Sequence, residues 1–151
     1  MRLNTLESNL EADAPHQAVN TSPPGLASAM VLAAGRGERM RPLTDTTPKP
    51  MLAVHGKPLM QWHMEALARA GHHDQLINTA WLGPQIEAHF GLNHALPNGG
   101  KVSLRYSHEG KAFGHALETA GGIVRALPFL APVFWVVAGD IYAPKFDFSS
   151  P

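Results

Sequence analysis

The chain has 151 residues, in which 12 Lys and Arg balance 12 Asp and Glu, so its formal charge is zero. A neutral balance with no basic run excludes a nucleic-acid-binding surface, and charged residues, at 16%, fall below the ~25% usual for soluble domains. Hydrophobic residues, at 44%, suffice for one core in one domain, and the lack of cysteine removes disulfide scaffolds, thiolate nucleophiles and Cys-ligated zinc.

Residues 1–28 are rich in Ser, Thr, Asn, Asp, Glu and Pro, with no apolar period of 2 or 3.6. They read as a disordered leader ending in the Pro23-Pro24-Gly25 punctuation. Glu7, Glu11 and Asp13 interrupt any secretory apolar region and oppose an acid-poor transit peptide. No stretch approaches the ~18 apolar residues of a spanning helix, so no membrane partner is expected and the expected compartment is the cytoplasm.

Residues 29–33 form a continuous apolar run stopped by a glycine-rich turn, the pattern of a strand buried on both faces. Residues 51–54 fit a second short strand closed at His55-Gly56. Pro58 fits the first position of a helix whose apolar face is Leu59, Trp62, Ala66, Leu67 and Ala70, stopped by Gly71. Residues 75–78 read as a strand, 84–90 as a short helix, and 102–106 as a strand with one wet face. A helix over 119–127 precedes the most apolar strand of the chain, 133–138, which runs into Gly139-Asp140. This alternation implies a mostly parallel sheet covered by helices. The chain ends soon after its best central strand, so 29–151 reads as the N-terminal part of an incomplete domain.

The richest chemistry follows the first strand, at the carboxyl edge where α/β proteins bind ligands. Gly35 and Gly37 let backbone approach a phosphate, and turn N–H groups can cradle an anion. Met40 stands where a dinucleotide fingerprint needs a small residue, and Gly56-Lys57-Pro58 fails the test for a Walker A loop. Arg39 and Arg41 flank the turn, and Lys49 sits between Pro48 and Pro50, which limit the entropy it loses on docking. Three cations converging there suit a triphosphate or pyrophosphate; a solvated basic loop is the bland alternative.

The run Leu32-Ala33-Ala34-Gly35-Arg36-Gly37-Glu38-Arg39-Met40-Arg41-Pro42-Leu43-Thr44, then Pro48-Lys49-Pro50-Met51, resembles the signature of the sugar-1-phosphate nucleotidyltransferases. Ile77-Asn78-Thr79-Ala80-Trp81-Leu82-Gly83 and Leu117-Glu118-Thr119-Ala120-Gly121-Gly122-Ile123 are most similar to the branch that uridylylates N-acetylmuramate 1-phosphate. The resemblance implies a Rossmann-like, three-layer, open and mostly parallel α/β sheet, the nucleotide-diphospho-sugar transferase fold, in its nucleotide-binding half. It implies transfer of a nucleotidyl group, uridylyl before guanylyl or thymidylyl, from an NTP to a sugar 1-phosphate, with Mg²⁺. Mannose-1-phosphate guanylyltransferase and a non-catalytic binding module are the alternatives.

By that resemblance Ala33, Ala34, Gly35, Gly37, Glu38 and Arg39 wrap the nucleotide, and Arg39 meets the departing pyrophosphate. Lys49 holds phosphate charge at the reacting centre, and Asp140 matches the metal-binding aspartate. Thr119, Gly121 and Gly122 match the turn that approaches base and ribose. Arg39 and Lys49 are thus the catalytic pair. Each has a structural alternative: Gly139-Asp140 beginning a turn, Gly121-Gly122 starting a helix, Asn78 capping a turn rather than touching sugar. The nine histidines read as surface or interface, and Trp62, Trp81 and Trp135 as core. Residues 111–116 are longer than the muramate pattern, which loosens the acceptor assignment. The family's second metal aspartate and much of its sugar pocket correspond to positions beyond residue 151, so this polypeptide alone is expected to turn over poorly.

Overall fold

The structure is a computed structural model that describes residues 25–109 and 114–149. Most of the expected leader, residues 1–24, lies outside the described residues, as do 110–113 of the long segment. The strand expected from residue 29 begins earlier: β1 spans Ala27–Ala33 and includes two residues assigned to the leader.

Five strands form one sheet in the order β5-β6-β4-β1-β7. Strands β4 (Asp74–Thr79), β6 (Lys101–His108) and β7 (Leu130–Ala138) run parallel to their partners, whereas β5 (Asn93–Ala95) pairs antiparallel with β6. Sequence periodicity missed β5, because three residues carry no readable period. The expected strand at 51–54 is a 3₁₀ turn, Lys49–Met51, followed by a separate hairpin of β2 (Ala53–Val54) and β3 (Lys57–Pro58). The hairpin turns through His55 and Gly56, both with positive φ, the conformation that joins strands without splaying them.

Helices cover both faces, which is why β1 is apolar from Ala29 to Ala33. Ala29, Val31 and Ala33 pack with Ile77 and Leu104 beneath α2 (Leu59–Arg69) and α3 (Gly83–Phe90). Met30 and Leu76 face the other way, against Ala126 of α4 (Glu118–Ala126). Pro58 caps α2 rather than opening it, and the buried face centres on Met60, Met64 and Leu67. Trp62, expected in that face, is half-buried and donates Nε1–H to the Val54 carbonyl at 3.2 Å, because the β2-β3 hairpin rather than the sheet covers that flank.

The most apolar strand is not central. Among the described residues β7 pairs with β1 alone, and Val133 is 80% exposed. The strand also loses register near its start, where Ala27 pairs with Leu130 but Ala29 with Trp135, a break that accommodates Pro132 and its missing N–H. After β1 the chain adds β4 and β6 on one side, then crosses to place β7 on the other. That reversal opens a crevice beyond the carboxyl ends of β1 and β7, the position where open α/β sheets bind ligands.

Candidate functional site

A cleft of about 620 Å³ lies across the carboxyl ends of the parallel strands, within the size range of small-ligand sites. On one side stands the glycine turn: Ala33, Ala34, Gly35, Gly37 and Glu38 all line it. Gly37 has φ +68°, and a Cβ there would come within 3.1 Å of both Lys49 Cβ and Thr44 Cγ2. Only glycine meets both conditions. Its carbonyl accepts the Thr44 hydroxyl at 2.9 Å, which closes the turn on its own helix, α1 (Leu43–Thr46).

Lys49 and Asp140 meet in this cleft, with Nζ 2.7 Å from Oδ2, although 91 residues separate them in the chain. Lys49 projects from the proline-flanked 3₁₀ turn, and Asp140 follows the end of β7. Two bonds fix the aspartate's backbone. Gly139 N–H donates to the Leu32 carbonyl at 2.9 Å, and buried His63 of α2 donates Nε2–H to the Ile141 carbonyl at 2.6 Å. The carbonyl acceptor assigns that tautomer.

The three cations expected to converge do not. Arg41 turns back to Asp45 at 2.8 Å, and Arg39 is exposed on the 3₁₀ turn Glu38–Met40 without lining the cleft. Arg36, given no role from sequence, lines the cleft but is held by its neighbours. Its guanidinium lies 3.6 Å over the Trp81 ring and donates to the Thr44 carbonyl at 2.7 Å and to Asp45 at 2.9 Å. The hydrogen bond from Arg36, joined by the charge and hydrogen bond of Arg41 and the charge of Arg36, holds the Asp45 carboxyl below its ordinary value against the opposing effect of desolvation. Lys49 is therefore the cation best placed to meet a ligand in the cleft.

On the other side, Thr119 lines the cleft at the start of α4, while Gly121 and Gly122 do not. Gly122 lies behind, and a Cβ there would come within 2.9 Å of Asn78 Nδ2. Asn78 lines the cleft but is 3% exposed, and both ends of its amide have protein partners: it accepts from Ala33 N–H at 2.8 Å and donates to Glu109 at 2.8 Å. Asn78, assigned to the sugar from sequence, thus braces the floor of the cleft that it lines. Glu109, His115 and Glu118 also line the cleft and were missed. Glu118 has φ +60°, a backbone state with no signal in a single sequence; His115 was set aside with the other histidines.

Among the described residues no group of three or more His, Cys, Asp or Glu could hold a metal. Asp140 is the carboxylate beside Lys49 in the cleft, and a hard dication held there would take its other oxygens from phosphates and water, the habit of Mg²⁺. No helix among the described residues is long and apolar enough to cross a membrane.

Glycine turn, switch-point crevice and lysine–aspartate pair give the molecule the form of a nucleotide-binding α/β domain. Comparison supplies the family. The chain matches the nucleotidyl transferase family model over residues 28–150 and belongs to that family. It is 55% identical over 114 residues to the N-acetylmuramate alpha-1-phosphate uridylyltransferase of Neisseria meningitidis serogroup B, covering 75% of this chain and 46% of that protein. It is 37% identical over 120 residues to the UTP–glucose-1-phosphate uridylyltransferase of Synechocystis sp., covering 74% and 30% respectively. The solved CTP:phosphocholine cytidylyltransferase of Streptococcus pneumoniae superposes with a TM-score of 0.55 at 27% identity, over 81% of this chain and 49% of that one. The fold is that of the nucleotide-diphospho-sugar transferases. The chain spans about half the length, or less, of these relatives.

Proposed function

We propose that this chain carries the nucleotide-binding part of an enzyme that transfers a uridylyl group from UTP to a sugar 1-phosphate, with N-acetylmuramate 1-phosphate as acceptor. In that reaction a phosphate oxygen of the sugar 1-phosphate attacks the α-phosphorus of UTP. A new P–O bond forms as the bond to the bridging oxygen breaks, and pyrophosphate leaves with the electron pair. The nucleophile is already an anion at neutral pH, so no general base is needed. The barrier is repulsion between two polyanions, which fixed positive charge and turn N–H groups lower. Lys49 meets phosphate charge, Arg39 reaches the departing pyrophosphate from the rim, and the turn from Ala33 to Glu38 holds the triphosphate. Thr119 faces base and ribose, with Gly121 and Gly122 setting how closely its helix approaches.

Asp140 would hold Mg²⁺, which supplies further charge neutralisation when bound. The reaction belongs in the cytoplasm, with its nucleoside triphosphates. The observation that carries this reading is the 2.7 Å Lys49–Asp140 pair facing the glycine turn, because a cation and a metal-capable carboxylate side by side are what phosphoryl charge requires.

Calorimetric titration with UTP, GTP and dTTP, each with and without Mg²⁺, tests it. Preferential, Mg²⁺-strengthened binding of UTP is expected. Preference for GTP would favour a mannose-1-phosphate guanylyltransferase. Binding indifferent to both Mg²⁺ and Asp140→Ala would mark a non-catalytic module.

A further inference from the structure

Beneath the cleft the backbones of β1, β4 and β6 pair side by side, and a chain of side-chain bonds along their carboxyl ends carries the connection on to α4, which lies outside the sheet. Asn78 Oδ1 accepts from Ala33 N–H, at the foot of the glycine turn, at 2.8 Å. Its Nδ2 donates to Glu109 Oε1 at 2.8 Å, and Glu109 Oε2 accepts from Leu117 N–H, just before α4, at 2.8 Å. Asn78 is 3% exposed and Glu109 is fully buried. The helix side closes on this pair so tightly that a Cβ on Gly122 would lie 2.5 Å from Glu109 Oε1. A buried carboxylate is costly unless it is fully hydrogen-bonded, and here one group from each side of the cleft satisfies it.

We infer that Asn78 and Glu109 are positioning residues that set the spacing between the phosphate-holding turn and the base-and-ribose side at α4. This rests on the reading of the cleft as a nucleotide site. A ligand spanning both sides feels that spacing, because displacement of about 1 Å is enough to lose binding geometry. A ligand that engages the glycine turn alone does not.

The test exchanges the two polar groups. Asn78→Asp alone sets two carboxylates together, and Glu109→Gln alone sets two amides donor against donor. The double variant N78D/E109Q reverses the bond between the two side chains, keeps both as acceptors of the Ala33 and Leu117 N–H groups, and leaves the charge unchanged. UTP with Mg²⁺ and inorganic tripolyphosphate are titrated into each full-length variant, well below its melting temperature. Each single variant is expected to weaken UTP by roughly tenfold or more while leaving tripolyphosphate within about twofold, and the double variant to recover UTP to within about threefold.

Equal loss for both ligands, unchanged UTP affinity, or no recovery in the double variant would overturn the inference. Should the single variants not fold, Gly122→Ala reports instead. It keeps both polar groups but pushes the helix away from them, so undiminished UTP binding would refute the spacing role. A wild-type chain that binds tripolyphosphate and UTP equally well would count against it too. Failure of the wild type to bind either ligand would overturn the nucleotide-site reading itself.

Discussion

Lys49→Met removes the ammonium that lies 2.7 Å from Asp140, and structure makes its effects on folding and on binding very different. The lysine side chain is 25% exposed and the aspartate 37%, so the pair is screened by water and contributes at most ~1 kcal/mol to stability. Against a triphosphate, the same ammonium makes a charge-assisted bond of about 1.5–3 kcal/mol, roughly tenfold to 150-fold in affinity. Its loss also leaves the Asp140 carboxylate facing the phosphates uncompensated. Asp140→Asn has the opposite sign without metal: it releases Lys49 and removes a negative charge, so Mg²⁺-free UTP binding holds or tightens while the gain from Mg²⁺ shrinks. Titration of UTP into the wild type and both variants, with EDTA and then with Mg²⁺, separates these effects; urea unfolding of the same samples reports stability. If Lys49→Met changes UTP affinity by less than about twofold, or Asp140→Asn weakens metal-free binding as much as Lys49→Met does, the electrostatic account of the cleft is wrong.

Gly37→Ala should destabilise by about 1–2 kcal/mol in urea unfolding, because φ +68° is left-handed, and should weaken UTP by displacing Lys49, which a Cβ there would meet at 3.1 Å. The Asp45 carboxyl is held below 3.8, chiefly by its hydrogen bond from Arg36. Its contribution is therefore complete above the unfolded value and disappears as pH falls through the depressed one. Arg36→Ala should flatten that acid limb of the melting curve, and an unchanged limb would contradict the assignment. Burial, then the charges of His89 and Lys57, holds the His94 pKa below 6.5, with Glu65 opposing. Here the unfolded chain takes up the proton first, so stability is full above pH 6.5 and declines as pH drops towards the lowered folded value. His94→Phe, which preserves the ring contact with Phe90, should remove that slope in pH-dependent thermal melts.

Local chemistry in the sequence determined a good deal. The glycine turn was legible because phosphate approach and a left-handed φ both demand glycine, and the signature around it is long and unbroken. The alternation of apolar runs with helical periods determined the parallel α/β architecture, because strands covered on both faces tend to run apolar without alternation, as residues 29–33 of β1 do. Tertiary structure decided what depends on distant partners. Sequence placed Arg39, Arg41 and Lys49 together, but Arg41 folds back on Asp45 and Arg39 stays exposed off the cleft, outcomes that rest on contacts rather than on residue type. The apolarity of β7 says what a strand can bury, not whether neighbours flank both its edges. Asn78 and Glu109 are ordinary polar letters in the chain. Only the convergence of β4, β6 and α4 buries them against each other, where an unpaired polar group would be costly, and so makes one brace of two residues far apart in sequence.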